Sequence, residues 1–225
     1  MRLTRYAHAC FGVEDPSGQI WLFDPYRPEG LGGRFSIPAP DIIPHRILIT
    51  HCHEDHSWRT RAWAEVPVWE SDRKTDEATL TTLAVPHDAV GGTHMGFSRS
   101  LKLEIHCPGN SNFKVIHSGD VGDSAWRDLV PFCKDADLLL LPAGGKYTLG
   151  PGEAMDLAKE SGARRTVLMH FREPGIDLPM LTPEEAFAQL NDPITIIESG
   201  VMDLPTARDG REAEVFWLAP LLPAS

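Results

Sequence analysis

The polarity pattern divides the chain into short apolar runs separated by turns rich in Gly and Pro. Leu3 to Tyr6, Cys10 to Glu14 and Gln19 to Phe23 predict three strands, with Asp15-Pro16-Ser17-Gly18 turning between the last two. Asp24-Pro25-Tyr26 ends the third run, and a Pro/Gly-rich loop extends to Pro44. Ile47-Leu48-Ile49 reads as a buried strand, Ser57 to Glu65 has helical composition, and Val66 to Trp69 and Leu80 to Val85 are strands again. Ser100 to His106 and Asn112 to His117 form a strand pair around a Pro108-Gly109-Asn110 turn. Ser124 is placed as the cap of a helix running to about Cys133. Asp137 to Leu141 and Arg165 to Met169 are apolar strands, with a helix between them from Pro151 to Ser161 closed by Gly162. Thr182-Pro183-Glu184-Glu185 opens a last helix as a capping box, and Ile194 to Ile197 and Glu214 to Leu218 are late strands. Strands come first, and then strands and helices alternate. That order predicts a layered α/β protein with at least two sheets.

Composition narrows the class. A chain of 225 residues, 42% hydrophobic and 24% charged, suits one globular domain over residues 1–225. Its formal net charge of −11 disfavours nucleic acid, whose binding depends on Lys and Arg neutralising phosphates. No apolar run approaches the ~20 residues of a membrane helix, and the segment after Met1-Arg2 is not a secretory signal. Cys10, Cys52, Cys107 and Cys133 form no CxxC pair and read as reduced cytoplasmic thiols.

The chemistry concentrates in Thr50-His51-Cys52-His53-Glu54-Asp55-His56, directly after the Ile47-Leu48-Ile49 strand. Alternation along an extended chain lets His51 and His53 point one way while Cys52 points the other. Asp55 and His56 follow where the chain turns, so two clusters of ligands fall close together, the arrangement of a two-metal site. The same event recurs along the chain: an apolar run, then a metal-competent residue. Leu83 to Val85 leads to His87, Val115-Ile116 leads through Ser118-Gly119 to Asp120, and Val167 to Met169 leads to His170. Strand ends are where ligand-binding loops converge in α/β folds. Four of them supply His51, His53, Asp55, His56, His87, Asp120 and His170. His94 competes with His87, which is favoured because it directly follows a strand. His117 either supports Asp120 or is a plain strand histidine, and His45 and His106 read as surface residues. His8 sits between two strands, and the pattern alone does not assign it. Imidazole and carboxylate donors suit two divalent ions, Zn foremost, with Mn or Fe as alternatives.

These residues resemble the metallo-β-lactamase fold superfamily, whose HxHxDH pattern is met by His51 to His56. His8-Ala9-Cys10, Asp24-Pro25, His87 to Gly92, Gly119 to Gly122, Gly144 to Thr148 and Met169-His170-Phe171 are similar to the L-ascorbate-6-phosphate lactonase-like branch. The resemblance covers residues from about 5 to 172. It implies a four-layer αββα sandwich with the site at one edge between the sheets. It also implies that His51, His53 and His87 hold one metal, that Asp55, His56 and His170 hold the other, and that Asp120 bridges them. Phe171 stands where the branch often has Tyr. Lys146 interrupts the branch's Gly-Gly-aromatic-Thr pattern and offers a cation to an anionic substrate. Lys146, Tyr147 and His8 are the candidate substrate-binding residues.

A water between two divalent cations loses a proton near neutral pH and becomes a nucleophile toward carbonyl carbon or phosphorus. Asp55 is then both ligand and proton carrier. The expected function is a metal-dependent hydrolase acting on a small anionic lactone, amide or phosphoester. The alternatives are a nucleic-acid phosphodiesterase, a di-iron oxidoreductase and an inactive metal-binding module.

Overall fold

The computed structural model describes residues 1–107, 112–205 and 213–221. Its strands in chain order are β1 (Arg2–Ala7), β2 (Cys10–Glu14), β3 (Ile20–Phe23), β4 (Arg46–Leu48), β5 (Val68–Trp69), β6 (Arg73–Lys74) and β7 (Ala78–Pro86). They continue as β8 (Phe97–Ile105), β9 (Phe113–His117), β10 (Leu138–Pro142), β11 (Arg165–Met169), β12 (Thr195–Ile197), β13 (Val201–Asp203) and β14 (Glu214–Leu218). The helices are a short turn α1 (Gly30–Gly33), then α2 (Trp126–Cys133), α3 (Pro151–Ser161) and α4 (Pro183–Phe187).

The strands form two sheets, one ordered β13-β1-β2-β3-β4-β5 and the other β12-β14-β11-β10-β9-β8-β7-β6. Period-two alternation decides which core each residue enters. In β10, Leu138 and Leu140 face the other sheet with Phe11, Trp21 and Phe23, while Leu139 and Leu141 face outward to Leu129 of α2 and Leu157 of α3. A run buried on both faces is what a central parallel strand requires, and β10 pairs in parallel with β9 and β11. The outer face of the smaller sheet is closed by Tyr26, Phe35, Ile37, Trp63 and Ile176. That outermost layer is therefore made of loops and short turns more than of long helices. The fold is the α/β sandwich of two sheets that the sequence predicts.

Several elements match their sequence signals closely. α3 has Pro151 in its first turn, and Gly162 at its C-terminus takes φ 67°. Thr182 accepts from Glu185 N–H, and the Glu185 side chain accepts from Thr182 N–H, which completes the capping box. Two expectations are corrected, and two strands are added. Ser57 to Glu65 contains only a 3-10 turn at Arg61–Trp63, because Thr60 takes extended backbone (φ −72°, ψ 160°) and its side chain accepts from Ala62 N–H, while Trp58 N–H is held by Pro25 O. Ser124 does not cap α2; its hydroxyl donates to Asp88 O (3.4 Å), and Ala125 is the N-cap. β6 and β13 are strands too short, at Arg73–Lys74 and Val201–Asp203, to show a periodicity. The Pro108-Gly109-Asn110 turn lies outside the described residues.

One ion pair ties β1 to the loop after β11, and the same guanidinium reaches β14 of the larger sheet. Arg5 Nη1 and Nη2 donate to Glu173 Oε1 (2.7 Å) and Oε2 (2.6 Å), and Nη1 also donates to Leu218 O (2.8 Å). Both side chains are buried, so removing one strands the other's charge. Arg5→Ala is expected to cost about 3–5 kcal/mol of stability, and adding Glu173→Leu to Arg5→Met should recover much of that loss. Urea unfolding of the single and double variants checks this; a double variant no more stable than Arg5→Ala contradicts it.

Candidate metal centre

Each candidate ligand follows the C-terminal end of a strand. β1, β3 and β4 run in one direction in the smaller sheet, and β7, β9 and β11 run together in the larger one. Their ends lead to His8, Asp24, His51, His87, Asp120 and His170 in turn. Three of these residues leave their strands with left-handed backbone, His8 at φ 52°, Asp24 at 43° and His170 at 65°. Such a conformation costs about 1–2 kcal/mol for a residue with a Cβ and is held only where surrounding contacts enforce it. Close approach enforces part of it at His170, whose carbonyl a Cβ on Gly144 would strike.

The donor atoms fall into groups close enough for single ions. His51, His53 and His87 form one group, and His8, Asp55, His56 and His170 form another, with ligand atoms within 4.8 Å of one another in each. Asp120 lies between them. Its Oδ2 is 3.2 Å from His87 Nε2, 3.9 Å from His51 Nε2, 3.3 Å from His56 Nε2 and 3.1 Å from His170 Nε2. Among the described residues, Asp120 Oδ1, His56 Nε2 and both ring nitrogens of His8, His87 and His170 are buried without hydrogen-bond partners. Buried polar atoms are rarely left so, and this donor set fits divalent cations.

The surrounding charges set the protonation. Burial raises Asp120, but His170 and His56 outweigh it and hold the carboxyl well below the usual carboxylate range. Burial also raises Asp55, and His56 and His8 reverse that shift downward. Burial and then His56 push His51 down to about 3, leaving a neutral imidazole fit for coordination. Burial and then His170 lower His8 to about 3 as well. Burial alone would lower His56, yet Asp120, Asp55 and Asp24 drive it well above the ordinary imidazole value. Cation binding would displace the proton those carboxylates attract.

Asp24 is the residue that sequence reasoning did not place in the site. It is fully buried, accepts from Thr50 N–H (2.8 Å) and Thr50 Oγ1 (2.6 Å), and lies 2.9 Å from His56 Nδ1. Holding Nδ1 turns His56 Nε2 toward Asp120, the usual way a carboxylate orients a ligating histidine. The signal was present, since Ile20–Phe23 followed by Asp24 repeats the strand-then-ligand event.

The other candidates separate. His94 is exposed, and its backbone N–H donates to Asp88 Oδ2 (2.9 Å), whereas His87 is buried in the cluster. His117 does not hold Asp120; its Nδ1 accepts from Gly119 N–H (3.1 Å) and its Nε2 donates to Ala9 O (2.9 Å), with the ring stacked on Phe23. His8 packs 4.0 Å from the His170 ring, and its Nε2 lies 3.4 Å from Asp55 Oδ2. Tyr147 lines a cavity of about 490 Å³ with His53, Asp55, His87, Asp120 and His170. Lys146 does not line that cavity; it is exposed and borders a neighbouring depression with Asp88, Asp123 and Glu153. Phe171 is buried on the helical side against Phe187. Cys52 is exposed and outside every donor group, as alternation predicts. His45 and His106 are half-buried, and they contact Glu77 and Thr79, away from the cluster.

A family model described as a beta-lactamase superfamily domain matches residues 2–170. The chain belongs to the metallo-β-lactamase superfamily. Within it the chain stands with the metal-dependent hydrolases. It is 32% identical over 194 residues to a UPF0173 metal-dependent hydrolase of Methanoculleus marisnigri, covering 76% of this chain and 81% of that one. A counterpart from Methanoregula boonei is 30% identical over 196 residues, covering 76% and 82%. A solved structure from Thermotoga maritima, described as a Zn-dependent hydrolase of the metallo-β-lactamase superfamily, shares the fold with a TM-score of 0.69 at 20% identity, covering 96% of this chain and 97% of that one.

Two predictions distinguish ligand from neighbour in this superfamily member. His87→Ala should lower the cation content of the purified protein and His94→Ala should not, as read by elemental analysis; equal losses would reject His87 as the ligand. Asp88 accepts from the N–H groups of Val90, Gly92, His94 and Met95, and these bonds hold its carboxyl below its ordinary value. A depressed folded value gives stability that is present above the unfolded value and lost as pH falls toward the folded one. Asp88→Asn should therefore flatten the acid limb of the stability-against-pH curve, measured by thermal melts below neutral pH.

Proposed function

We propose that the chain is a single-domain hydrolase with a dinuclear metal centre, in which His51, His53 and His87 hold one cation and Asp55, His56 and His170 the other. Asp120 bridges them in this reading, and the observation that carries it is the position of its Oδ2 between His87 Nε2 (3.2 Å) of one group and His56 and His170 Nε2 (3.3 and 3.1 Å) of the other. Imidazole with carboxylate favours zinc, with manganese or iron as the other metals this set accepts. Bound divalent cations would bring a coordinated water toward neutral pKa and polarise the substrate's oxygen.

The chain's own residues supply the rest. Asp24 fixes the His56 ring. Asp55 lines the cavity, and its Oδ2 faces His8 and His56 (3.4 and 3.6 Å). With cations bound, the Asp55 oxygen they do not take would accept a hydrogen from the attacking water and hand the proton to the leaving group. A carboxyl held so low keeps that proton only in transit. The cavity volume suits a small molecule, and cations in excess of the Asp55 and Asp120 charges favour an anionic one: a lactone, amide or phosphoester. A net charge of −11 weighs against a nucleic-acid substrate. Four free thiols suit a reducing, cytoplasmic setting, and among the described residues no helix is long and apolar enough to cross a membrane.

Chelation should abolish turnover in a screen of lactones, amides and phosphoesters, and restoring zinc or manganese should recover it. Asp120→Ala or His51→Ala should lose both metal and activity. Asp55→Asn should lower kcat by about a hundredfold or more. Full metal content with full activity in the Asp120 variant would sink the assignment.

A further inference from the structure

Two loops roof the cavity, and both are fastened. The first is tied to the metal-competent motif through Glu54. Arg27 N–H donates to Glu54 O (2.8 Å), Arg27 Nη1 to Oε1 (2.6 Å) and Leu31 N–H to Oε2 (2.9 Å). Its far side is zipped to the loop after His170. Phe35 bridges Ile176, Ser36 N–H donates to Gly175 O (2.8 Å), and Asp177 N–H donates to Arg34 O (2.9 Å). The left-handed turn at Leu31 and Gly32, φ 52° and 71°, sets the direction in which this loop leaves the motif. Leu31 and Arg34 from the first loop and Leu178 from the second line the same cavity as Asp55, Asp120 and His170.

Arg34 is unlike the other cations near the site. Arg27 is paired with Glu54, Arg5 with Glu173 and Arg172 with Glu185. Lys146 borders the neighbouring depression among carboxylates. Arg34 is exposed where the wall of the metal-competent cavity meets a second depression lined by Glu173 and Asp177, and among the described residues it makes no salt bridge with either. Apolar Leu31, Met95 and Leu178 line this cavity together with Arg34 and the ligand cluster. A guanidinium presents a planar fork that matches carboxylate and phosphate oxygens in pairs.

We propose that Arg34 binds an oxyanion at the end of the substrate remote from the bond that is cut. The substrate class is then an organic acid, a carboxylate or a phosphate monoester, with an apolar midsection held by Leu31, Met95 and Leu178 and a hydrolysable group at its other end. The identity of that hydrolysable end rests on the hydrolase reading above; the anion site does not. Binding made equally in ground and transition states lowers KM and leaves kcat alone. Arg34 is therefore a specificity-determining residue and stands apart from the proton-transfer groups.

The test uses zinc-reconstituted protein, wild type against Arg34→Ala and Arg34→Lys. Calorimetry compares heptanoate with pimelate and with ω-phosphonohexanoate, so that each dianion differs from the monoanion only at the remote end. Wild type should prefer a dianion by about tenfold, Arg34→Ala should erase that preference without changing heptanoate binding, and Arg34→Lys should restore part of it. Whichever dianion gains more identifies carboxylate or phosphate. Kinetics compare p-nitrophenyl hexanoate with mono-p-nitrophenyl adipate, where Arg34→Ala should raise KM about tenfold for the anionic ester alone and leave kcat unchanged. A wild type without dianion preference, or a preference that survives Arg34→Ala, overturns the proposal even if both esters are hydrolysed. A preference lost in Arg34→Ala with neither ester hydrolysed keeps the anion site and removes the hydrolase reading.

Discussion

A carboxylate that is 2% exposed must be balanced, and in this protein Asp120 is balanced by imidazoles from separate strand ends. An unpaired ion in the interior costs several kcal/mol, so the arrangement is stable only if those strand ends converge. Convergence in turn requires two sheets whose strands end along one shared edge. The sandwich and the site are thus one solution to one electrostatic constraint. His56 shows this most directly, since it faces Asp24 through one ring nitrogen and Asp55 and Asp120 through the other.

The backbone bears part of the cost. His8, Asp24 and His170 each depart from a strand in the left-handed region, which an L-residue adopts only under constraint. The packing beneath them supplies that constraint. Arg5, held by Glu173 and the carbonyl of Leu218, also reaches the carbonyl of His8 (3.3 Å), so one buried guanidinium supports the segments carrying both His8 and His170. Asp24 is locked by Thr50 in the same way. Residues remote from any substrate thereby decide where the donor atoms point.

Above the edge, the chemistry of the site passes to the loops. Glu54 lies between two candidate ligands, yet its side chain is turned away to anchor the loop that carries Leu31 and Arg34. The motif that concentrates the metal donors therefore also fastens part of the cavity wall. The loop after His170 closes the other side through Phe35 and Ile176.

Much of this was legible in the residue order. Continuous apolar runs marked β10 and β11, a capping box marked α4, and Pro151 with Gly162 bracketed α3, because these signals are local. The strand-then-donor event marked His87, Asp120 and His170, and alternation turned Cys52 outward, because a strand's periodicity fixes which side each residue takes. Other decisions needed the tertiary structure. Ser57 to Glu65 has helical composition, yet Trp58 N–H is held by Pro25 O, a neighbour only in the fold. His8 looks like an ordinary turn residue until its ring is packed against His170 from the other sheet. That Arg34 lines the metal-competent cavity and Lys146 the depression beside it is not legible in the residue order, because a loop's sequence carries no record of which cavity its side chains reach. The chain's own order determined the donor chemistry and the strands that carry it, since both depend on near neighbours. The folded structure decided how the donors are oriented and what surrounds the cavity, since both depend on residues brought together only by packing.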